Sequence, residues 1–200
     1  LNTKSKIISN FINLQEIKNT KAINKKKFIL GMGRLNKQKG FDLLIKAFIK
    51  IKDEISHQLL IVGEGEEYLY LMKIIKENKV QNRVKILNFT DKPYSYLKRC
   101  NLFVLPSRWE GTPNAALEAL ACGTRVIATP NSGGLIDLKS ALKKRDVVIA
   151  KMGKPFIKAI EDNIKSFKSK IEISKLPQEF NYDTTLDKYV ILFKELLVNN

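Results

Sequence analysis

Six short apolar runs, at residues 28–30, 59–62, 84–87, 102–105, 126–128 and 147–150, recur along the chain at intervals long enough to hold a helix. They are rich in Val, Ile and Leu and are not interrupted by regular polar positions, the pattern of strands covered on both faces. Between them the period changes. Phe41, Leu44, Ile45 and Phe48 fall on one helical face, and EEYLYLMKIIKENK carries a similar stripe of Leu69, Met72, Ile74 and Ile75, with Glu at its start. Such a stripe is core rather than a cofactor box. A last apolar stretch over 186–197 predicts a terminal helix. Strands alternating with helices predict the α/β class, with a doubly wound parallel sheet of about six strands.

One strand-to-helix junction is readable in detail. The run at 102–105 must stop at or before Pro106, and Thr112-Pro113 then supplies a preferred N-cap followed by a preferred first helical residue. A short helix is expected from Pro113 to Ala121, with Gly123 as its C-terminal cap. A capping box would place Glu or Gln at the third helical position; Ala115 stands there and leaves an amide for a ligand. Helix starts favour phosphate, and ligands of open α/β sheets lie beyond the carboxyl ends of the strands. Glu110 precedes this helix and Glu118 follows on its second turn, placed to accept hydrogen bonds from hydroxyls. Carboxylates at this spacing also decorate ordinary solvated helices.

A second junction, FILGMGRLNKQKGFDLLIKAF, reads as strand, glycine-rich turn and amphipathic helix. It is not a dinucleotide fingerprint, because the third glycine would fall at Asn36; Gly63-Glu64-Gly65 likewise lacks one at Tyr68. A nicotinamide-dependent reading therefore loses its main support. Arg34 and Lys39 lie among Gly31, Gly33 and Gly40, either as phosphate ligands or as two of the chain's many surface cations.

PSRWEGTPNAALEALACGTRVIAT, taken with GRL and KG of the first turn, resembles the donor-site signature of retaining GT-B glycosyltransferases of family 4. The resemblance implies a Rossmann-like, C-terminal, donor-binding half of a GT-B fold, with residues 1–26 as interdomain linker and 27–200 as the nucleotide-sugar-binding domain. It implies that Arg34 and Lys39 neutralise the donor diphosphate, that Glu110 faces the sugar, and that Glu118 takes the ribose. It further implies backbone contacts to the diphosphate from Gly111, Thr112, Pro113 and Asn114. Gly33 and Gly63 would line the nucleotide cleft, Leu87 and Asn88 the turn beside the base, and Gly133 and Gly134 the sugar. A plain tight turn accounts for Gly65 equally well. Asn88 replaces a usual Gly, Arg125 a usual Pro, and LKSALKKRDVVIAK lacks a usual Gly-containing turn. The implied donor is a nucleoside diphosphate sugar, a UDP-sugar first, with neither metal nor other cofactor. The acceptor would be a glycan or lipid-linked, in cell-surface polysaccharide synthesis, and its site would lie in an N-terminal domain absent from this chain. The terminal helix would cross back towards that domain. This half alone is expected to bind donor without turnover.

Composition adds a net charge of +16, from 36 Lys+Arg against 20 Asp+Glu. Compositional bias ranks first as its source, peripheral attraction to an anionic membrane second, and nucleic acid a distant third, since no aromatic-interleaved basic motif accompanies it. No apolar run reaches the roughly 20 residues of a membrane span. Cys100 and Cys122 have no metal spacing, which fits a reduced, cytoplasmic setting. The single histidine, His57, has no partner pattern for a general base. Two other readings stay open: a GT-B relative such as a sugar-nucleotide epimerase or phosphorylase, and a basic nucleic-acid-binding module.

Overall fold

A computed structural model describes residues 6, 8–167, 174–180 and 182–198; residues 1–5 and 7 of the expected linker lie outside them. Six parallel strands form one sheet: β1 (Phe28–Met32), β2 (Gln58–Val62), β3 (Val84–Leu87), β4 (Leu102–Leu105), β5 (Val126–Ala128) and β6 (Val147–Ile149). Their order is β3-β2-β1-β4-β5-β6, the Rossmann-type doubly wound arrangement. All six match the runs read from the sequence.

The apolar runs are continuous because each strand feeds two cores. Phe28, Leu30, Leu60, Val62, Phe103, Leu105, Val126 and Ala128 pack on one face. Ile29, Leu59, Ile61, Leu102, Val104 and Ile127 pack on the other. The second face is covered by α2 (Phe41–Ile51), α3 (Tyr68–Glu77) and α7 (Lys154–Lys165). In α2 the four expected positions, Phe41, Leu44, Ile45 and Phe48, are all buried. In α3 the expected stripe needs correction: Leu69 is exposed, and Leu71 takes its place beside Ile74 and Ile75. Leu71 lies three and four residues from that pair, on the same helical face.

The first face is covered by α4 (Pro93–Arg99), α5 (Asn114–Ala121) and α6 (Gly134–Leu138). A short helix ahead of the sheet, α1 (Leu14–Asn19), adds Ile17, and Ile12, two residues before the helix, is buried as well. The Lys98 ammonium of α4 donates to the Ile17 and Thr20 carbonyls. The stretch expected as linker thus contributes side chains to the core. The terminal helix, α8 (Tyr182–Val198), starts earlier than 186 and leaves Tyr182, Tyr189, Phe193 and Leu197 exposed. Lys6 pairs with Glu195 of α8. Among the described residues no helix is long and apolar enough to cross a membrane.

Candidate active site

The strand order reverses between β1 and β4, so the loops after those strands diverge and open a crevice at their carboxyl ends. Three loops meet there. Arg108 of the β4 loop forms a bidentate pair with Asp42 at the start of α2, both bonds 2.9 Å. The same guanidinium donates to the Lys37 carbonyl at 2.7 Å, and the Arg108 amide donates to the Gln38 carbonyl at 2.7 Å. Asp42 is buried and holds the Arg108 guanidinium above its ordinary pKa. The third loop, after β5, joins through Asn131: its carbonyl accepts the Glu110 amide at 2.9 Å and its side chain donates to the Arg108 carbonyl at 2.9 Å.

Within this frame the expected residues form two groups. Lys39 Nζ lies 2.7 Å from Glu110 Oε1, and the Ser107 hydroxyl donates to the same oxygen at 2.6 Å. The Glu110 side chain is only 6% exposed, so its charge is balanced by contact rather than by water. Both donors converge on Oε1, which leaves Oε2 for another partner. The second group borders a cleft of about 620 Å³ lined by Gly33, Arg34, Gly63, Glu64, Phe89, Pro93, Ala115 and Glu118, among others. Arg34 is exposed there.

The glycines are explained by close approach. A Cβ on Gly63 would stand 1.9 Å from the Gly33 carbonyl oxygen, so the turns after β1 and β2 touch backbone to backbone. Gly133 meets Gly111 in the same way, and the Gly134 amide donates to the Gly111 carbonyl at 2.8 Å. Leu87 offers its carbonyl to the Gly63 amide at 2.9 Å, and Asn88 is exposed; the side chains lining the cleft after β3 are Phe89, Thr90 and Asp91 instead.

The helix start differs from expectation by one residue. Pro113, at φ −82° and ψ 83°, is the flanking residue of α5, and no side chain caps the helix. The Pro113 carbonyl accepts the Ala116 and Leu117 amides, whereas the Thr112 carbonyl is taken by the Asn114 amide in a tight turn. That turn carries Thr112 out of the capping position. The Asn114 side chain is engaged by Asn10, 2.8 Å away.

Glu118 faces the cleft from α5, and burial pushes its carboxyl up to about 7, with the negative charge of Glu16 on α1 adding to the shift. Burial and the same two carboxylates raise the Tyr94 hydroxyl to about 12. A carboxyl raised on folding stabilises the protein below its ordinary value, 4.5, and that contribution is lost as pH climbs through 7. The melting temperature is therefore expected to fall between pH 5 and 7.5, reflecting a stability loss on the order of 2 kcal/mol. Glu118→Gln should flatten that slope; a thermal melt series that keeps it in the variant refutes the assignment. His57 is buried away from this site with neither ring nitrogen hydrogen-bonded, its pKa lowered by burial and by Lys27 and Arg83.

Residues 13–175 match the sequence model of a family described as glycosyl transferases group 1. The chain belongs to that family. As a group 1 glycosyl transferase it resembles the Campylobacter jejuni N-acetylgalactosamine-N,N'-diacetylbacillosaminyl-diphospho-undecaprenol 4-alpha-N-acetylgalactosaminyltransferase, 37% identical over 139 residues, or 68% of this chain and 37% of that protein. An O-antigen biosynthesis glycosyltransferase of Escherichia coli, WclY, is 34% identical over 48% of this chain and 26% of its own length. In fold the group 1 domain resembles Anabaena HepE, solved in complex with UDP, at TM-score 0.79 and 20% identity, over 95% of this chain and 57% of that one. A Rickettsia africae glycosyltransferase gives 0.79 at 19% identity, over 96% and 57%. The chain thus spans little more than half of those structures and about a third of its curated relatives.

Proposed function

We propose that this chain is the donor-binding half of a retaining, family 4 glycosyltransferase that moves a sugar from a nucleoside diphosphate, UDP first among candidates, to a glycan or lipid-linked acceptor. The observation that carries it is the gathering of Arg34, Lys39, Glu110 and Glu118 around the ends of β1 and β4. Breaking a sugar–phosphate bond leaves growing negative charge on the diphosphate, and fixed cations aimed at that charge lower the barrier. An ammonium has three donors; Glu110 uses one of Lys39's, and two remain for phosphate oxygens. Arg34, exposed on the cleft side, supplies a second cation and removes the need for a metal. Glu110 orients the sugar through Oε2, and Glu118 accepts the ribose hydroxyls.

The Campylobacter relative is named for a diphospho-undecaprenol acceptor, which favours a lipid-linked acceptor; such an acceptor would bring a cytoplasmic enzyme into peripheral contact with an anionic membrane. The acceptor site belongs to an N-terminal domain beyond this chain. Calorimetric titration with UDP, GDP and their sugars tests the donor site. Arg34→Ala should weaken nucleotide binding roughly tenfold; no binding at millimolar nucleotide, or binding indifferent to the substitution, rejects the assignment.

A further inference from the structure

On the donor-binding reading above, we infer that Phe89 is the platform on which the donor's nucleobase stacks. Single exposed apolar residues are ordinary on protein surfaces. Phe89 differs in three respects. It is 73% exposed, yet it lines the 620 Å³ cleft together with Arg34 and Glu118. Among the described residues no aromatic ring or cation stacks on it.

Its backbone, by contrast, is held. The Phe89 amide donates to Glu64 Oε1 at 3.2 Å, and two residues earlier the Leu87 carbonyl accepts the Gly63 amide at 2.9 Å. Both anchors belong to the turn after β2, whose Gly63 presses on Gly33 of the phosphate-side turn. The ring is thus displayed from a braced loop, at little entropic cost to a ligand that covers it.

The strand order decides which part of a ligand arrives there. Glu110 follows β4 and Phe89 follows β3, with β1 and β2 between them. Three strand spacings separate the two loops, about 14 Å across the sheet. Arg34, after β1, lies between them, one strand spacing from β4 and two from β3. A nucleoside diphosphate sugar laid along this edge, with its phosphates at Arg34 and its sugar at Glu110, extends its base towards β3. A flat, apolar ring face is what a base stacks on, and such stacking tolerates any base.

The 200-residue chain, titrated calorimetrically with UDP, GDP and pyrophosphate, tests this. Phe89→Ala should weaken both nucleotides about tenfold while pyrophosphate affinity stays native, and Phe89→Trp should retain nucleotide affinity. Native nucleotide affinity in Phe89→Ala overturns the assignment, as does an equal loss of pyrophosphate, which marks a collapsed loop instead. A native chain that binds neither nucleotide overturns the donor-binding reading itself, and this inference with it.

Discussion

Lys39→Ala is expected to lower the affinity for a nucleoside diphosphate sugar by about 100-fold. Two losses combine. One is a cation beside the diphosphate, and a hydrogen bond to a charged group is worth up to about 3 kcal/mol. The other is the counter-ion of Glu110, whose side chain is 6% exposed and would keep only Ser107. A buried ion pair that loses one partner costs several kcal/mol, but Lys39 is itself 22% exposed, so water softens the penalty to about 2 kcal/mol. That lowers the melting temperature by roughly 4–8 °C for a domain of this size. The double variant Lys39→Ala/Glu110→Gln separates the two losses. It should regain the melting temperature and not the affinity. Recovery of donor affinity in the double variant would show that Lys39 serves only Glu110.

Gly133→Ala should abolish measurable donor binding while the sheet stays folded. The residue sits at φ 52°, and an added Cβ would stand 1.9 Å from the Gly111 carbonyl oxygen and 2.5 Å from that of Glu110. With ψ at −133° the backbone lies outside the left-handed helical region, in a conformation where only glycine sits without strain, and the clash with backbone adds to that cost. The loop after β5 must move away from Gly111, and the Gly134 to Gly111 hydrogen bond goes with it. Glu110, whose amide is held by Asn131 of that loop, then loses its position. Gly111→Ala is the control for folding alone, since a Cβ added there would meet no protein atom within 4 Å and should leave the melting temperature native. Circular dichroism melts and calorimetry decide it: a native melting temperature and native donor affinity in Gly133→Ala would reject the close-approach argument.

The sheet was legible because strands buried on both faces leave uninterrupted apolar runs, a signal that needs no knowledge of partners. Helix phase was harder. Leu69 and Leu71 are equally apolar, and only the position of the sheet beneath α3 selects Leu71. Thr112 has the chemistry of a cap, but the tight turn at Asn114 moves it aside, a backbone event invisible in residue preferences. Arg34, Lys39, Glu110 and Glu118 were marked by their glycine and helix contexts. The pairs that hold them were not. Asp42 and Arg108 lie 66 residues apart, and their pairing exists only once β4 lies beside β1. A charged residue at the second position of a helix that buries its neighbours was the available hint. Ser107 was hidden in the same way, because its role depends on the rotamer of Glu110.

The clasp between Asp42 and Arg108 also bears on the order of events during folding. It joins the β1–α2 unit to the loop after β4, so the crevice cannot close until the central strands from both halves of the sheet have paired. Ligand affinity should therefore emerge late, after secondary structure and most burial are complete. A nucleotide would then act on the last step alone, slowing unfolding without hastening refolding.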